Sequence, residues 1–402
     1  MLYLMILNTT INHTMIIINK KIHNLSHKKI SKNALKVLFR LNKSGYQAYL
    51  VGGSIRDLLL RKKPKDFDIV TNATPKELKK MFNNCRLIGK RFLIVHIFFY
   101  SEIIEVSTFR KNCKNKKNTF YKKNNNAGML LADNNFGKIE EDAKRRDLTI
   151  NSLYYNVFNR NLRDYVNGFY DLKKKIIRII GNPETRYRED PIRILRVLYF
   201  SVKLKMKIEE NTEKPIKKLT YLLKNVPKNR LSNEVIKILT NKYGEEIYKK
   251  LKIYSILKKI MPFPFSSHPK KILTMIHTMT IEAIKMLKIK FFKNKKLEIP
   301  FLFSAILWNP LLIYTVQIKK KQKVSFYIAF SKSIKEIVNK LSTYIYISKN
   351  NFLLIKNIWK YQIKLNVKNK IIKEKLNKDV YFLIKNFLFL RKKIIFKKKN
   401  IK

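Results

Sequence analysis

At 402 residues and 46% hydrophobic side chains, the chain is long enough to bury more than one core and too apolar to be disordered. Lys and Arg number 88 against 27 Asp and Glu, a net charge of +61, which favours RNA or DNA as partner over an acidic membrane surface. The two cysteines, Cys85 and Cys113, lack metal-ligand spacing, which excludes a disulfide scaffold and argues for a reducing, cytoplasmic setting without structural zinc.

Met1–Ile18 is apolar in part but carries no basic leader and no cleavage site. Residues 1–30 therefore read as an extension, with Met15 an alternative start. Ser31–Lys43 spaces Leu35, Leu38, Phe39 and Leu41 as an amphipathic helix ending near Gly45. Tyr46–Val51 is a strand delivering Gly52 and Gly53, a turn that lets backbone approach a ligand closely. Ser54 and Asp57 have capping-box spacing, which predicts a helix over Ile55–Leu60 whose free N–H groups would seat a phosphate. Alternation then puts Asp66 and Asp68 on one strand face and Phe67 on the other. Two carboxylates on one face suit Mg²⁺, which leaves its other positions to phosphates and water.

Thr74-Pro75 opens a helix to about Phe82. Strands follow at Phe92–Tyr100 and Ile103–Thr108, and Glu105 sits in the second. It is either a further acid near the metal seat or the outward residue of an edge strand. Lys111–Phe136, rich in Lys and Asn, reads as a mobile loop. Leu162–Ile180 alternates as a hairpin around Asn167-Gly168. Asp190-Pro191 predicts a helix start with Asp190 at the cap, and Arg193 on the same face. Together Asp190 and Arg193 could read a base edge, adenine or cytosine alike; an N-cap with an i,i+3 ion pair is the plainer alternative.

Beyond Phe200 the pattern is helical. Glycine is nearly absent after Gly181, which argues against further strands. Ile299–Val316 is apolar but interrupted by Pro300 and Pro310, so a buried helical pair is expected rather than a membrane span. Trp308 and Trp359 read as core, and His268 and His277 are too isolated for a metal site. The tail Arg391–Lys402 is a basic run, either solvated or in contact with phosphates.

The ordered set Gly52-Gly53, Asp66-x-Asp68, Arg145-Arg146-Asp147 followed by Thr149-Ile150-Asn151, and Glu189-Asp190-x-x-Arg193 resembles the class II nucleotidyltransferases. These comprise the bacterial tRNA CCA-adding enzymes and poly(A) polymerases. The resemblance implies an α+β fold: a small nucleotidyltransferase head of mixed β-sheet and helices, polymerase-β-like, then a mostly α-helical neck and body. The corresponding division is extension 1–30, head 31–180, neck 181–245, body 246–390 and basic tail 391–402.

The same resemblance implies two Mg²⁺ ions on Asp66 and Asp68 with Asp147 as third acid, and ATP as substrate. It implies nucleotide contacts from Gly52, Gly53, Ser54, Arg56, Arg145 and Arg146, base reading by Asp190 and Arg193, and RNA 3′ ends as acceptor. RNA-decay machinery is a further implied partner. Arg86–His96 (RLIGKRFLIVH) is similar to the stretch that separates poly(A) polymerases from CCA-adding enzymes. The expected activity is therefore template-independent addition of AMP to RNA 3′ ends. CCA addition, or RNA binding without catalysis, are the alternatives. Ser54 departs from the small residue usual at its position, and Tyr199 from the arginine frequent in that branch.

Overall fold

The computed structural model describes residues 15–89, 93–111, 135–266, 268–289, 295–364 and 376–399. The chain forms two compact units. One comprises residues up to Arg193 together with Lys205–Pro215; the other comprises Ile194–Leu204 and the chain from Ile216 onward.

The first unit is built on an eight-stranded sheet: β1 (Ile16–Ile18), β2 (Ala48–Val51), β3 (Asp68–Thr71), β4 (Cys85–Ile88), β5 (Ile94–Phe98), β6 (Ile103–Thr108), β7 (Leu153–Tyr155) and β8 (Leu162–Asp164), in the order β1-β8-β7-β2-β3-β6-β5-β4. Only the β3–β6 pair is parallel within this sheet. Its central strands are apolar on both faces, and Tyr49, Val51, Val70 and Tyr154 share one buried cluster with Phe109, Ile139 and Ala143. The helix Lys32–Lys43 starts where Ser31 Oγ accepts the Asn33 and Ala34 N–H groups. It buries Ala34, Val37, Leu38 and Leu41, while Phe39 stays exposed against Phe158. Pro75–Met81 begins with the full reciprocal cap of Thr74 and Glu77, as the sequence predicts.

Several expectations need correction. The stretch up to Ile18 is not wholly an extension, because β1 adds an edge strand to β8. Cys85–Ile88 forms the opposite edge, a strand without a fully buried residue and so without the apolar pattern that marks the others. Asn167-Gly168 is a helix start rather than a hairpin turn. The Asp164 carboxylate accepts the N–H groups of Val166, Gly168 and Phe169, which draws the chain into the helix Gly168–Lys174. Gly168 lies so close to the Thr149 carbonyl that a Cβ would stand 2.1 Å from its oxygen. One short strand does follow Gly181: β10 (Lys207–Ile208) pairs in parallel with β9 (Ile176–Ile177), which precedes it. Of the Lys111–Phe136 loop, Phe136 bridges back to Arg110; its interior lies outside the described residues.

The second unit is helical. At its centre the helix Glu298–Gln322 packs against Lys270–Lys288, Phe326–Ser342 and Lys349–Lys364. It is one continuous helix rather than the expected pair. Pro300 falls in its first turn, where the missing N–H costs nothing, and Pro310 is accommodated in the interior among buried neighbours. By length and composition it could cross a membrane, but 72% of its apolar window is buried among neighbouring helices. Trp359 is fully buried and donates to the Ser304 carbonyl at 3.2 Å. The tail does not start as a solvated run. Lys378–Lys399 is a single helix, with the Arg391 guanidinium 4.4 Å from the Trp308 ring centre and Lys393 paired to Glu282 at 3.0 Å.

Candidate active site

The site begins where β2 ends. Gly52 has φ +78, and a Cβ there would come within 3.3 Å of Asp68 Oδ2, so glycine brings the turn against that carboxylate. The following helix runs Gly53–Leu59 without the expected Ser54 cap. Ser54 Oγ is buried and donates back to the Val51 carbonyl at 3.0 Å, and Asp57 is drawn to Arg56 instead. Arg56 is likewise no open arm. Its side chain is 3% exposed and gives Nε and Nη2 to Asp57, and Nη1 to Asn151 Oδ1 at 2.6 Å. It ties the glycine turn to Thr149–Asn151 from beneath.

Asp68 opens β3 in register with Glu105 on β6. Asp66 lies two residues earlier, largely exposed, with Lys65 at 3.6 Å. The Asp68 carboxyl is pushed up to about 6, chiefly by burial and then by Glu105, with Arg146 opposing and Asp66 adding to the rise. Glu105 in turn faces His96 Nε2 at 3.5 Å. Like charges crowded at a partly buried strand end fit a hard cation, which would relieve the repulsion. Among the described residues no group of three or more acidic, His or Cys side chains forms a complete metal cage.

The Arg145-Arg146-Asp147 stretch is organised by a residue that sequence reasoning passed over. Buried Asp142 accepts Arg145 Nη2 on one oxygen at 2.9 Å and Arg146 Nη2 on the other at 3.0 Å. Tyr154 Oη also donates to it, at 2.8 Å, and the two arginines hold its carboxyl below the usual range against burial. The i,i+3 and i,i+4 spacing was the available signal. The Asp147 carboxylate acts on Arg186, and its carbonyl accepts the Ile180 N–H. The acids that act on Asp68 are Glu105 and Asp66.

Arg186, also unforeseen, is buried and donates to the carbonyls of Arg145 and Arg146 and to Glu189 at 2.6 Å. Burial and then Arg193 push it down to about 10, with Glu189 and Asp147 opposing. Arg193 Nη1 bonds Glu189 at 3.1 Å and the Arg186 carbonyl at 3.0 Å. Asp190 accepts the Ile192 N–H at the start of the helix Ile192–Leu204. Asp190 and Arg193 thus stand on a frame of Arg186 and Glu189, which in turn holds the arginine motif.

A glycine turn at the end of one strand, set against a carboxylate that opens the next and faces Glu105 across the sheet, together with two clamped arginines, is the arrangement of a nucleotidyltransferase. A family model described as poly A polymerase head domain matches residues 48–178, and one described as probable RNA and SrmB-binding site of polymerase A matches 205–266. Poly(A) polymerase I of Salmonella typhi is 44% identical over 355 residues, 88% of this chain and 76% of the relative. The CCA-adding enzyme of Lactobacillus helveticus is 35% identical over 216 residues, covering 54% of this chain and 52% of its own. A solved CCA-adding enzyme in an apo form shares the fold with a TM-score of 0.64 at 20% identity, covering 96% of this chain and 87% of that one. The chain belongs to the poly(A) polymerase branch of the class II nucleotidyltransferase family.

Proposed function

We propose that the chain adds AMP from ATP to RNA 3′ ends without a template. The observation that carries this reading is the reach of the similarity. The poly(A) polymerase match runs through head and body over 355 residues, the CCA-adding match over 216. Asp66 and Asp68 hold Mg²⁺, with Glu105 as the neighbouring acid. When bound, the metal supplies Lewis acidity for the acceptor hydroxyl and charge neutralisation for the departing pyrophosphate. The backbone of Gly52 and Gly53 seats the triphosphate, and Arg56 and Ser54 stiffen that turn from inside. Arg145 and Arg146, each about one-fifth exposed, reach the nucleotide while Asp142 fixes their direction. Asp190 and Arg193 read adenine from the neck, 181–245, and the basic body, 246–390, carries RNA. Catalysis is metal activation plus positioning, so no Ser, Cys or His nucleophile is needed. The reaction takes place in the cytoplasm, and the added tail marks RNA for decay.

Primer extension with Mg²⁺ tests this, offering ATP alone, CTP alone or both to a generic oligoribonucleotide and to a tRNA lacking its CCA end. A long ladder on the generic RNA with ATP alone is expected. Addition of three nucleotides to the tRNA only, requiring both triphosphates, would make the chain a CCA-adding enzyme. RNA binding with no extension would leave a binding protein.

A further inference from the structure

Strand register sets four residues in one row on one face of the sheet: Asp68 opposite Glu105, Glu105 opposite His96, and His96 opposite Arg86. Three inter-strand steps span about 14 Å. Phe98 and Ile103 form a pair two residues along, so they share that face. The opposite face of these strands is core, with Ile69, Val95, Ile97 and Val106 buried. The row is covered at Asp68 and His96, which is 22% exposed, and opens around them: Glu105 is 48% exposed, Phe98 36%, Ile103 45%, and Arg86 is exposed as well. The Arg86 guanidinium lies 5.7 Å from the Phe98 ring centre, and the His96 ring stands edge-on to Phe98 at 6.3 Å.

This is a track that starts at the acidic pair and continues outward as imidazole, aromatic ring and guanidinium. An open ring beside an arginine is what single-stranded nucleic acid needs: a base stacks on the ring and its phosphate meets the guanidinium. We propose that this row seats the 3′-terminal nucleotides of the acceptor RNA. Phe98 stacks a base, Arg86 takes the adjoining phosphate, and the His96–Glu105 pair faces the terminal ribose next to Asp68. The proposal rests on the reading that the chain extends RNA. It assigns a role to Arg86 and His96, which the sequence singles out and the nucleotide site does not use. Stacking is tolerant of base identity, so such a seat accepts generic 3′ ends.

The test uses the full chain and oligoribonucleotides carrying 4-thiouridine at the 3′ terminus or well upstream. The terminal probe is expected to cross-link to the peptide containing Phe98, and the upstream probe is not. Phe98→Tyr keeps that cross-link, whereas Phe98→Leu, which preserves the apolar packing, loses it and weakens oligonucleotide binding about tenfold. Arg86→Gln lowers the salt dependence of binding by about 0.7 in log–log slope, the share of one single-strand phosphate. A terminal probe that cross-links elsewhere, or Phe98→Leu behaving as the parent, overturns the seat even if extension proceeds. Cross-linking at Phe98 without any extension would instead overturn the proposed activity and leave the seat standing.

Discussion

The two units handle charge in opposite ways. In the first, Arg56, Asp142, Asp164, Asp171 and Arg186 are all buried, each bonded to other side chains or to backbone groups. In the second, Glu282 is the one buried carboxylate among the described residues, and its partners Lys285 and Lys393 stay about two-fifths exposed. Buried hydroxyls there, such as Thr280, Thr315 and Ser333, bond carbonyls one helical turn back. Helices satisfy their own backbone, so the body needs little beyond an apolar seam. The head must hold loops and strand ends at fixed positions, and interlocked buried charges do that at the risk of stranding one when its partner goes.

The largest expected effect is at the acids. Asp68→Ala or Asp66→Ala should lower AMP transfer by at least about a thousandfold, since metal charge stabilisation contributes several kcal/mol. Single-turnover incorporation from labelled ATP measures it, and RNA binding should persist. Asp142→Ala comes next, leaving two arginines without their buried counter-charge at a cost of about 3–5 kcal/mol in urea unfolding. Glu282→Gln, whose lysines can turn to water, should cost about 1 kcal/mol or less. Equal costs at the two sites would break the comparison.

The pH response should also divide. The folded Asp68 carboxyl titrates near 6 against an ordinary value of 3.8, so the metal-free head binds protons more tightly than the unfolded chain and loses stability as pH rises across that window. His277, bonded to Tyr248 and stacked on Phe265, is pushed down to about 4 by burial and then by Lys252 and Lys258. Its unfolded form takes a proton near 6.5, so the body loses stability as pH falls from there toward 4. Each contribution is at most about 3 kcal/mol. Denaturation with chelator from pH 4 to 7 should show Asp68→Asn and His277→Phe flattening slopes of opposite sign. A modest effect is expected at Trp359→Phe, which leaves the Ser304 carbonyl without the indole donor and should lower stability by about 1–2 kcal/mol in the same assay.

What could be read in advance follows the same division. Thr74-Pro75 announces its helix because capping is a rule of neighbours, while Ser31–Lys43 and the body's helices follow from spacing alone. The arginine motif is locally indistinguishable from a charged helix face, and only resemblance singles it out. Asp142 went unread although its spacing to both arginines fits a clamp, because spacing does not say which of many charges is buried. Asn167-Gly168 serves a hairpin turn or a helix start with Asn167 as a left-handed cap equally well, and the choice is made by the Asp164 carboxylate. Pro310 breaks helices in water, but the packed neighbours of Glu298–Gln322 outweigh that local rule.

The crowding at Gly168 bears on how this chain can change over generations. The sequence holds 9 glycines and is rich in Lys, Asn and Ile, residues with AT-rich codons where those of glycine are GC-rich. A side chain at Gly168 would meet the Thr149 carbonyl oxygen at 2.1 Å, and one at Gly244 the Leu239 carbonyl oxygen at 2.1 Å. Backbone cannot step aside as a flexible side chain can. Nucleotide drift can repaint the surface of both units with lysine and asparagine, but at these two positions it meets a steric wall, and they become fixed points around which the rest of the sequence wanders.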